Sequence, residues 1–380
     1  MASNVTFAQI LRHWGRLGVL GFGGPPAHIA MLRQLCVVDQ QWLSADEFEH
    51  AIATTGMLPG PASTQLAIYC AWRLRGWRGA LLGGICFIVP GLIMIVALSA
   101  LFLAHHPSKY LLGAALGTGA VVPAIALTTA LQMLPASAKQ VREHRGRQLR
   151  WGLYLVAGVV TSIVAAQFVV LTLLACGLVE IVSRRPTAPS ALAGGLITTA
   201  HAAAMGGLGA LAWVAFKVGA LSYGGGFVII PLMQHDVVSV YHWMTGVQFL
   251  NVVALGQITP GPVVLTTAAV GYAVHGVVGS LLATLVAFGP SFIFIMGGAR
   301  HFERLRQNDT AKAFLAGAAP SVIGAIAGST VPLALLLAHL WQLPFLAAAA
   351  LWLGWKKGSS VYPLIIAAAL GALAAVALPV

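Results

Sequence analysis

Two glycine- and proline-rich motifs interrupt long apolar segments, and each occurs twice in the chain. The motif at 22–25 has its counterpart at 223–226, and the Pro-Gly-Pro motif at 59–61 has its counterpart at 260–262. Proline removes a backbone donor and glycine admits positive φ, so each Pro-Gly-Pro predicts two half-helices or a re-entrant hairpin. N–H groups at the start of a half-helix attract anions, because the helix dipole lies behind them.

The motifs therefore predict a binding site for a small oxyanion, which can approach glycine backbone closely. At any single position the alternative is an ordinary kink or packing point, since glycine and proline are common in membrane helices. The candidate substrate-binding residues are Phe22, Gly23, Gly24, Pro25, Pro59, Gly60, Pro61, Tyr223, Gly224, Gly225, Gly226, Gln257, Thr259, Pro260, Gly261 and Pro262.

Two cations and four titratable side chains accompany the motifs. Arg16 lies seven residues before Gly23 and Lys217 seven residues before Gly224, the first glycine of each motif. At that distance each cation would either attract an anion or anchor a helix end by snorkelling to the membrane surface. A proton-coupled carrier needs a titratable group that changes access. The candidates for that role, each of which has a helix-end alternative, are His28, His50, His235 and Asp236.

The composition assigns these motifs to a membrane protein. Only 8% of the 380 residues are charged and 59% are hydrophobic, whereas soluble domains carry about 25% charged residues. The net charge of +12 comes mostly from Lys and Arg clusters between apolar segments, a pattern typical of cytoplasmic loops rather than of a nucleic-acid surface. No motif for catalysis, a metal or a cofactor occurs, so we expect neither an enzyme nor a bound metal or cofactor.

The sequence is duplicated. Trp42 matches Trp243 and Phe48 matches Phe249 at the same offset of 201 as the motifs, and after one single-residue slip Pro90 matches Pro290. We predict a first repeat at 1–185, a linker at 186–200 and a second repeat at 201–380. The cation-rich loops fall at different places in the two halves, which favours repeats of inverted topology.

The expected fold is therefore an all-α polytopic membrane protein with two homologous inverted repeats, broken or re-entrant helices and about 10–12 membrane segments. The apolar segment at 151–183 is long enough for one tilted helix or for two short ones. Paired interruptions in corresponding segments of two repeats indicate a transporter site near the membrane midplane.

The motifs resemble those of the chromate ion transporter family, in its long, two-domain form. The resemblance rests on 22–25, Trp42-Leu43, 58–61 and 75–79 in the first half, and on 223–226, Trp243 and 254–262 in the second. It implies a multi-pass protein of a bacterial-type inner membrane that exports chromate or a sulfate-like divalent oxyanion, with coupling to protons and with chromate resistance as the result. A homodimer is left open.

Two other functions remain as alternatives. A passive anion channel would use the same half-helix ends but would need no titratable group. A membrane-embedded enzyme acting on a lipid phosphate would need convergent acid and base residues, which the sequence does not offer.

Overall fold

The computed structural model describes residues 5–103, 108–139, 141, 145–184, 207–222, 229–356 and 360–377. In those residues the regular structure is helical, with no strand. The α-helices, numbered in chain order, are α1 (Phe7–Leu20), α2 (Gly24–Arg33), α3 (Ala45–Thr55), α4 (Ala62–Phe102), α5 (Lys109–Lys139), α6 (Arg145–Val164), α7 (Val169–Arg184), α8 (Leu208–Leu221), α9 (Ile229–Gln234), α10 (Gly246–Ile258), α11 (Thr266–Gly298), α12 (Phe302–Gln307), α13 (Asp309–Leu335), α14 (Gln342–Lys356) and α15 (Val361–Ala377).

The described helices have the length and composition of membrane spans. Four shorter apolar helices, at Leu208–Leu221, Gly246–Ile258, Gln342–Trp355 and Val361–Val376, accompany five long ones. Large apolar side chains such as Leu285 and Ile293 are exposed on the outside of the bundle, as lipid contact requires. The predicted polytopic helical membrane protein is confirmed. The five long stretches are Ala62–Phe102, Lys109–Lys139, Ala166–Arg184, Val263–Gly298 and Asp309–Leu335.

The segment at 151–183 forms two helices rather than one. A short 3-10 turn, Ala166–Phe168, joins α6 to α7. The hydroxyls of Thr161 and Thr172 lie 3.1 Å apart near this turn, and Glu180 lies 2.9 Å from Arg150 at the opposite end, so the two helices run antiparallel.

The duplication of the sequence is repeated in the backbone. A π-helical turn occurs at Gln34–Asp39 and again at His235–Val240. Positive φ occurs at Gln41 and again at His242, both at the offset of 201. The offset between matching residues falls from 201 to 200 for a local reason. The second repeat forms the 3-10 turn Val263–Leu265 where the first repeat is α-helical. Three 3-10 residues advance about 6 Å, as do four α-helical residues.

Each Pro-Gly-Pro motif forms the tip of a helical hairpin. Glu47, in the first turn of α3, pairs with Arg73, near the end of the first part of α4, so these two half-helices are antiparallel. Hydrogen bonds from the Ser44 backbone, with Arg73 nearby, hold the pKa of Glu47 below its usual value. We call Pro59-Gly60-Pro61 the first tip and Pro260-Gly261-Pro262 the second tip. The predicted division into half-helices is confirmed for both.

The chain reverses again inside α4 and α11. Non-helical backbone at Arg75 and Gly76 turns α4 back on itself, and His275 and Gly276 do the same in α11. The two arms pack closely, since a β-carbon added at Gly79 would lie 2.4 Å from Ala71 O. The second arm of each helix is therefore a long helix beside its own hairpin.

The two long arms, 77–102 and 277–298, run antiparallel. A β-carbon added at Gly84 would lie 2.4 Å from the Phe292 ring. Ala80, at the start of the first arm, shares an apolar cluster with Ile295, at the end of the second. Equivalent helices that point in opposite directions are the signature of inverted repeats, as predicted. The predicted boundaries of repeats and linker are not tested by this, because 185–206 lies outside the described residues.

Candidate functional site

The first tip is fixed by hydrogen bonds to the start of α4. Gly60 has φ +121°, a backbone conformation that residues with a side chain rarely adopt. Gln65 donates its Nε2 hydrogen to Pro59 O at 2.7 Å and its backbone hydrogen to Pro61 O at 3.0 Å. The N–H groups of 62–64 precede this first helical bond, so they are the free donors of a half-helix N-terminus.

The first tip faces the second repeat. A β-carbon added at Gly60 would lie 2.5 Å from Gln65 Nε2, 3.2 Å from Gly219 O and 3.3 Å from Ser291 Oγ. Gly219 belongs to α8 and Ser291 to the long arm of α11, so the tip inserts between two helices of the other half. Its backbone can approach them closely because Gly60 has no side chain.

The second tip makes the mirrored contact with the first repeat. Gly261 donates its backbone hydrogen to Gly21 O at 2.9 Å. A β-carbon added at Gly91 would lie only 2.3 Å from Pro260 O. Gly91 lies 14 residues along the arm 77–102, which is about 21 Å along a helix of about 39 Å. The second tip therefore reaches the middle of a long helix, as a site near the midplane requires.

Polar groups without partners surround the first tip. Among the described residues, Thr64 Oγ1, Gln65 Oε1 and Ser291 Oγ are buried and accept or donate no hydrogen bond. All three side chains are 0% exposed, and leaving a buried polar group unpaired costs about 1–3 kcal/mol each. A ligand with several acceptor oxygens would take hydrogens from the hydroxyls of Thr64 and Ser291 and from the N–H groups of 62–64, whereas Gln65 Oε1 is an acceptor and would not bind it.

The residues that follow the second tip lack this polar lining, although Gln257, three residues before it, has an Nε2 that is unpaired among the described residues. The residues that follow the second tip are Val263 and Val264, where the first tip is followed by Ser63 and Thr64 within three residues. Its backbone donor is already engaged with Gly21, and Gly91 allows no gap beside Pro260. The pseudo-symmetric tips therefore differ, with polar groups open at the first and close packing at the second.

The break at 22–25 is present but offers few donors. Gly23 and Gly24 have φ +99° and +72°, and α2 begins at Gly24. Pro25 and Pro26 occupy the first turn of α2 and carry no N–H. This helix start is consequently a weaker anion site than the start of α4. Its counterparts Tyr223, Gly224, Gly225 and Gly226 lie outside the described residues.

The predicted cation pair is not symmetric in its surroundings. Arg16 is exposed, whereas the Lys217 side chain is only 19% exposed. Lys217 forms an ion pair with Asp236 and lies 5.7 Å from the centre of the Trp213 ring. In the first repeat the position of Asp236 is taken by Leu35, so this ion pair has no counterpart there. The role of Arg16 and Lys217 in attracting the anion stays a prediction.

The proton-coupling candidates lie in different places. His50 is exposed on α3, and its repeat mate Asn251 is half-buried near Gly119. His235 is half-buried beside the paired Asp236. His28, by contrast, is 1% exposed and contacts the break at Gly21.

Several polar neighbours of the tips bond to their own helices. The hydroxyl of Thr259 donates to Leu255 O at 2.7 Å, and that of Thr55 donates to Ala51 O at 2.8 Å. Gln257 differs, because its Nε2 is buried and has no partner among the described residues. Of the polar candidates that the motifs suggest in the second repeat, Gln257 therefore keeps a free donor while Thr259 does not.

Sequence reasoning missed two serines. Ser291 adjoins the first tip, and Ser222, which ends α8, has a buried hydroxyl without a partner among the described residues. Their repeat mates are Gly91 and Gly21. Comparison of the two halves would have found both, because each is a polar residue where the other half has glycine.

The fold and the site define a class of protein. Inverted helical repeats, hairpins with broken tips that meet halfway along long helices, and buried polar groups at one tip are the features of a membrane transporter. The protein is therefore classed with transporters and not with enzymes.

Comparison with known proteins identifies the family. The chain matches the chromate transporter family over residues 8–181 and 209–375, and it belongs to that family. It is 32% identical over 345 residues to the chromate transport protein of Cupriavidus metallidurans, which covers 88% of this chain and 84% of that protein. It is 31% identical over 403 residues to the chromate transport protein of Pseudomonas aeruginosa, covering 96% and 92%. No solved structure matches the chain.

Proposed function

We propose that this protein is a secondary carrier that exports chromate or a related divalent tetrahedral oxyanion, coupled to protons. The relatives named as chromate transport proteins support the substrate class. A tetrahedral dianion offers four acceptor oxygens, which suits a cluster of N–H and O–H donors. Sulfate has the same shape and charge and is the expected analogue.

We infer that the anion binds at the first tip. The observation that carries this proposal is the group of buried polar atoms there without partners, Thr64 Oγ1 and Ser291 Oγ among them, beside the free N–H groups of 62–64. The dipole of the half-helix that begins at Ala62, the part of α4 before the break at Arg75 and Gly76, points its positive end at the same place. Gly60 adds open backbone at the contact with the second repeat.

Alternating access would then arise from movement of one repeat against the other. The first tip is held mainly by its own repeat, through Gln65 and Pro59, and it has unpaired polar groups on the side that faces Ser291. The second tip is bonded across the interface, from Gly261 to Gly21. We propose that the first tip binds and releases the anion while the second tip acts as the pivot. The inner membrane and a homodimer stay predictions.

The test is flux in proteoliposomes with labelled chromate or sulfate, with and without a pH gradient. The proposal predicts saturable flux that a pH gradient accelerates and that excess sulfate reduces. A passive channel instead predicts flux that does not saturate and does not respond to the pH gradient. Absence of flux for both anions would contradict the proposed substrate class and leave the fold unaffected.

A further inference from the structure

His28 joins the broken segments of the first repeat to the second tip. Its Nε2 lies 2.8 Å from Gly21 O and its Nδ1 lies 3.2 Å from Ser63 Oγ. Gly21 O also accepts the backbone hydrogen of Gly261 at 2.9 Å. One imidazole therefore contacts the first break, the start of α4 and, through a shared carbonyl, the second tip.

The two bonds fix how His28 binds a proton. A carbonyl oxygen only accepts, so Nε2 must carry the hydrogen that Gly21 O receives. In the neutral ring Nδ1 then accepts a hydrogen from the Ser63 hydroxyl. In the protonated ring Nδ1 donates to Ser63 Oγ instead, and the Ser63 hydrogen becomes free for another acceptor. Both protonation states keep both partners, and only the direction of one bond changes.

Within the part of the chain that the structure describes, no charged group neutralises a proton at this position. The ring is edge-on to Phe87, with centroids 5.1 Å apart, and it is 1% exposed. Arg33 pairs with Glu49, and Arg73 pairs with Glu47, both away from the ring. The other charged and titratable side chains on the described elements packed against α2 are exposed, uncharged thiols or in contact with other groups: Arg12, His13, Arg16, Cys36, Asp39, Tyr69, Cys70, Arg75, Arg78 and Cys86.

A buried charge without a partner is costly, so protonated His28 needs an anion nearby. Ser63 is the second residue of α4, next to Thr64, whose hydroxyl has no partner. The hydrogen that protonation frees on Ser63 therefore belongs to the same first turn whose N–H groups are open. Anion binding and proton binding at these adjacent positions would favour each other, and this coupling is reciprocal.

We propose that His28 is the proton-binding residue of the carrier and that Ser63 transmits its protonation to the oxyanion at the first tip. This inference rests on the proposed function and adds the coupling residue to it. The second repeat has Ile229 where the first has His28, and valine at both 263 and 264 where the first has Ser63. The His28–Ser63 pair therefore has no counterpart at the matching positions of the second repeat, and it lies beside the tip with open polar groups.

The experiment compares wild-type protein with His28→Gln in proteoliposomes. Chromate uptake is measured over a range of equal internal and external pH, and proton movement is followed with an internal pH-sensitive dye. His301→Gln is the matched control, since His301 is an exposed histidine that belongs to none of the candidate sites. Chromate itself takes up a proton near neutral pH, so sulfate flux is measured in parallel to remove that contribution.

The wild type and His301→Gln should both bind the anion more tightly as the pH falls and move protons with it. His28→Gln should keep anion exchange, lose the change in affinity with pH, and lose anion-driven proton movement. Ser63→Ala is the second variant, for the case that His28→Gln does not fold. It should weaken anion affinity roughly tenfold at low pH, by one hydrogen bond to a charged group, and much less at high pH.

This inference would be overturned if the wild type transports the anion and His28→Gln shows the same pH dependence as the wild type. If only Ser63→Ala folds, the same result in that variant would overturn it. Either result would leave the proposed substrate intact. Absence of wild-type flux for both anions would instead overturn the proposed function and this inference with it. The two failures are therefore distinguishable in one set of measurements.

Discussion

Replacement of Gly60 by alanine tests the first tip through a single methyl group. The residue has φ +121°, and the new β-carbon would lie 2.5 Å from Gln65 Nε2 and 3.3 Å from Ser291 Oγ. Gln65 would have to move, which breaks its 2.7 Å bond to Pro59 O. The methyl group would also occupy the space beside the open polar groups.

The expected cost has two parts. Backbone strain at a conformation that is largely restricted to glycine costs about 1–3 kcal/mol, and loss of the Gln65 bond adds about 0.5–1.5 kcal/mol. The free energy of unfolding of Gly60→Ala should fall by roughly 2–4 kcal/mol on this account. An anion that loses one hydrogen bond at the tip loses about 1.5–3 kcal/mol, which is roughly a 10- to 150-fold loss of affinity.

Gly76→Ala is the matched control. Gly76 also has positive φ, +59°, but an added β-carbon there meets nothing within 4 Å. It should lose about 1–3 kcal/mol of stability from strain alone and keep the affinity for the anion. Thermal unfolding in detergent and flux in proteoliposomes, measured on both variants, separate strain from site. Wild-type affinity in folded Gly60→Ala would refute the placement of the anion at the first tip.

Three further changes follow from described contacts. Glu180→Gln should destabilise the protein by about 1–3 kcal/mol in a denaturation assay, because it weakens the charged hydrogen bonds to Arg150 and Arg184, which are themselves about 30% exposed; an unchanged midpoint would show that this ion cluster carries no stability. Asp236→Asn should lower the free energy of unfolding more than the double change Asp236→Asn with Lys217→Met, because only the single change leaves the half-buried Lys217 charge without its partner. Equal losses in the two variants would contradict the ion pair. Gly91→Ala should reduce yield of folded protein, because its methyl group meets Pro260 O at 2.3 Å, and normal folding would contradict the close packing of the second tip.

The breaks and the duplication could be predicted because they depend on local chemistry. Proline and glycine interrupt a helix wherever they occur, so Pro59-Gly60-Pro61 and its copy predict half-helices without any knowledge of packing. The offset of 201 between matching residues is likewise visible in the sequence, and the two π-helical turns share it. The sequence does not decide between one and two helices at 151–183, because an apolar run of that length can form one tilted helix or two short ones.

The differences between the two tips could not be predicted, because they depend on which residues the other repeat brings near. Gly261 finds Gly21 O, and Gly60 finds Ser291, across more than 200 residues of chain. The pairing of Lys217 with Asp236 depends similarly on two helices that local patterns do not relate. Symmetric motifs therefore predict the existence of the tips, whereas their polar or close-packed surroundings are a property of the folded chain.

Equilibrium binding of labelled chromate to the purified protein in detergent tests the central claim most directly, with the two glycines of the tips as mirrored variants. Gly60 and Gly261 both have positive φ, so alanine strains each of them. The account predicts that Gly60→Ala weakens chromate binding roughly tenfold or more and that folded Gly261→Ala keeps an affinity near that of the wild type. Equal losses in both variants, or a loss in Gly261→Ala alone, would contradict an oxyanion site at the first tip.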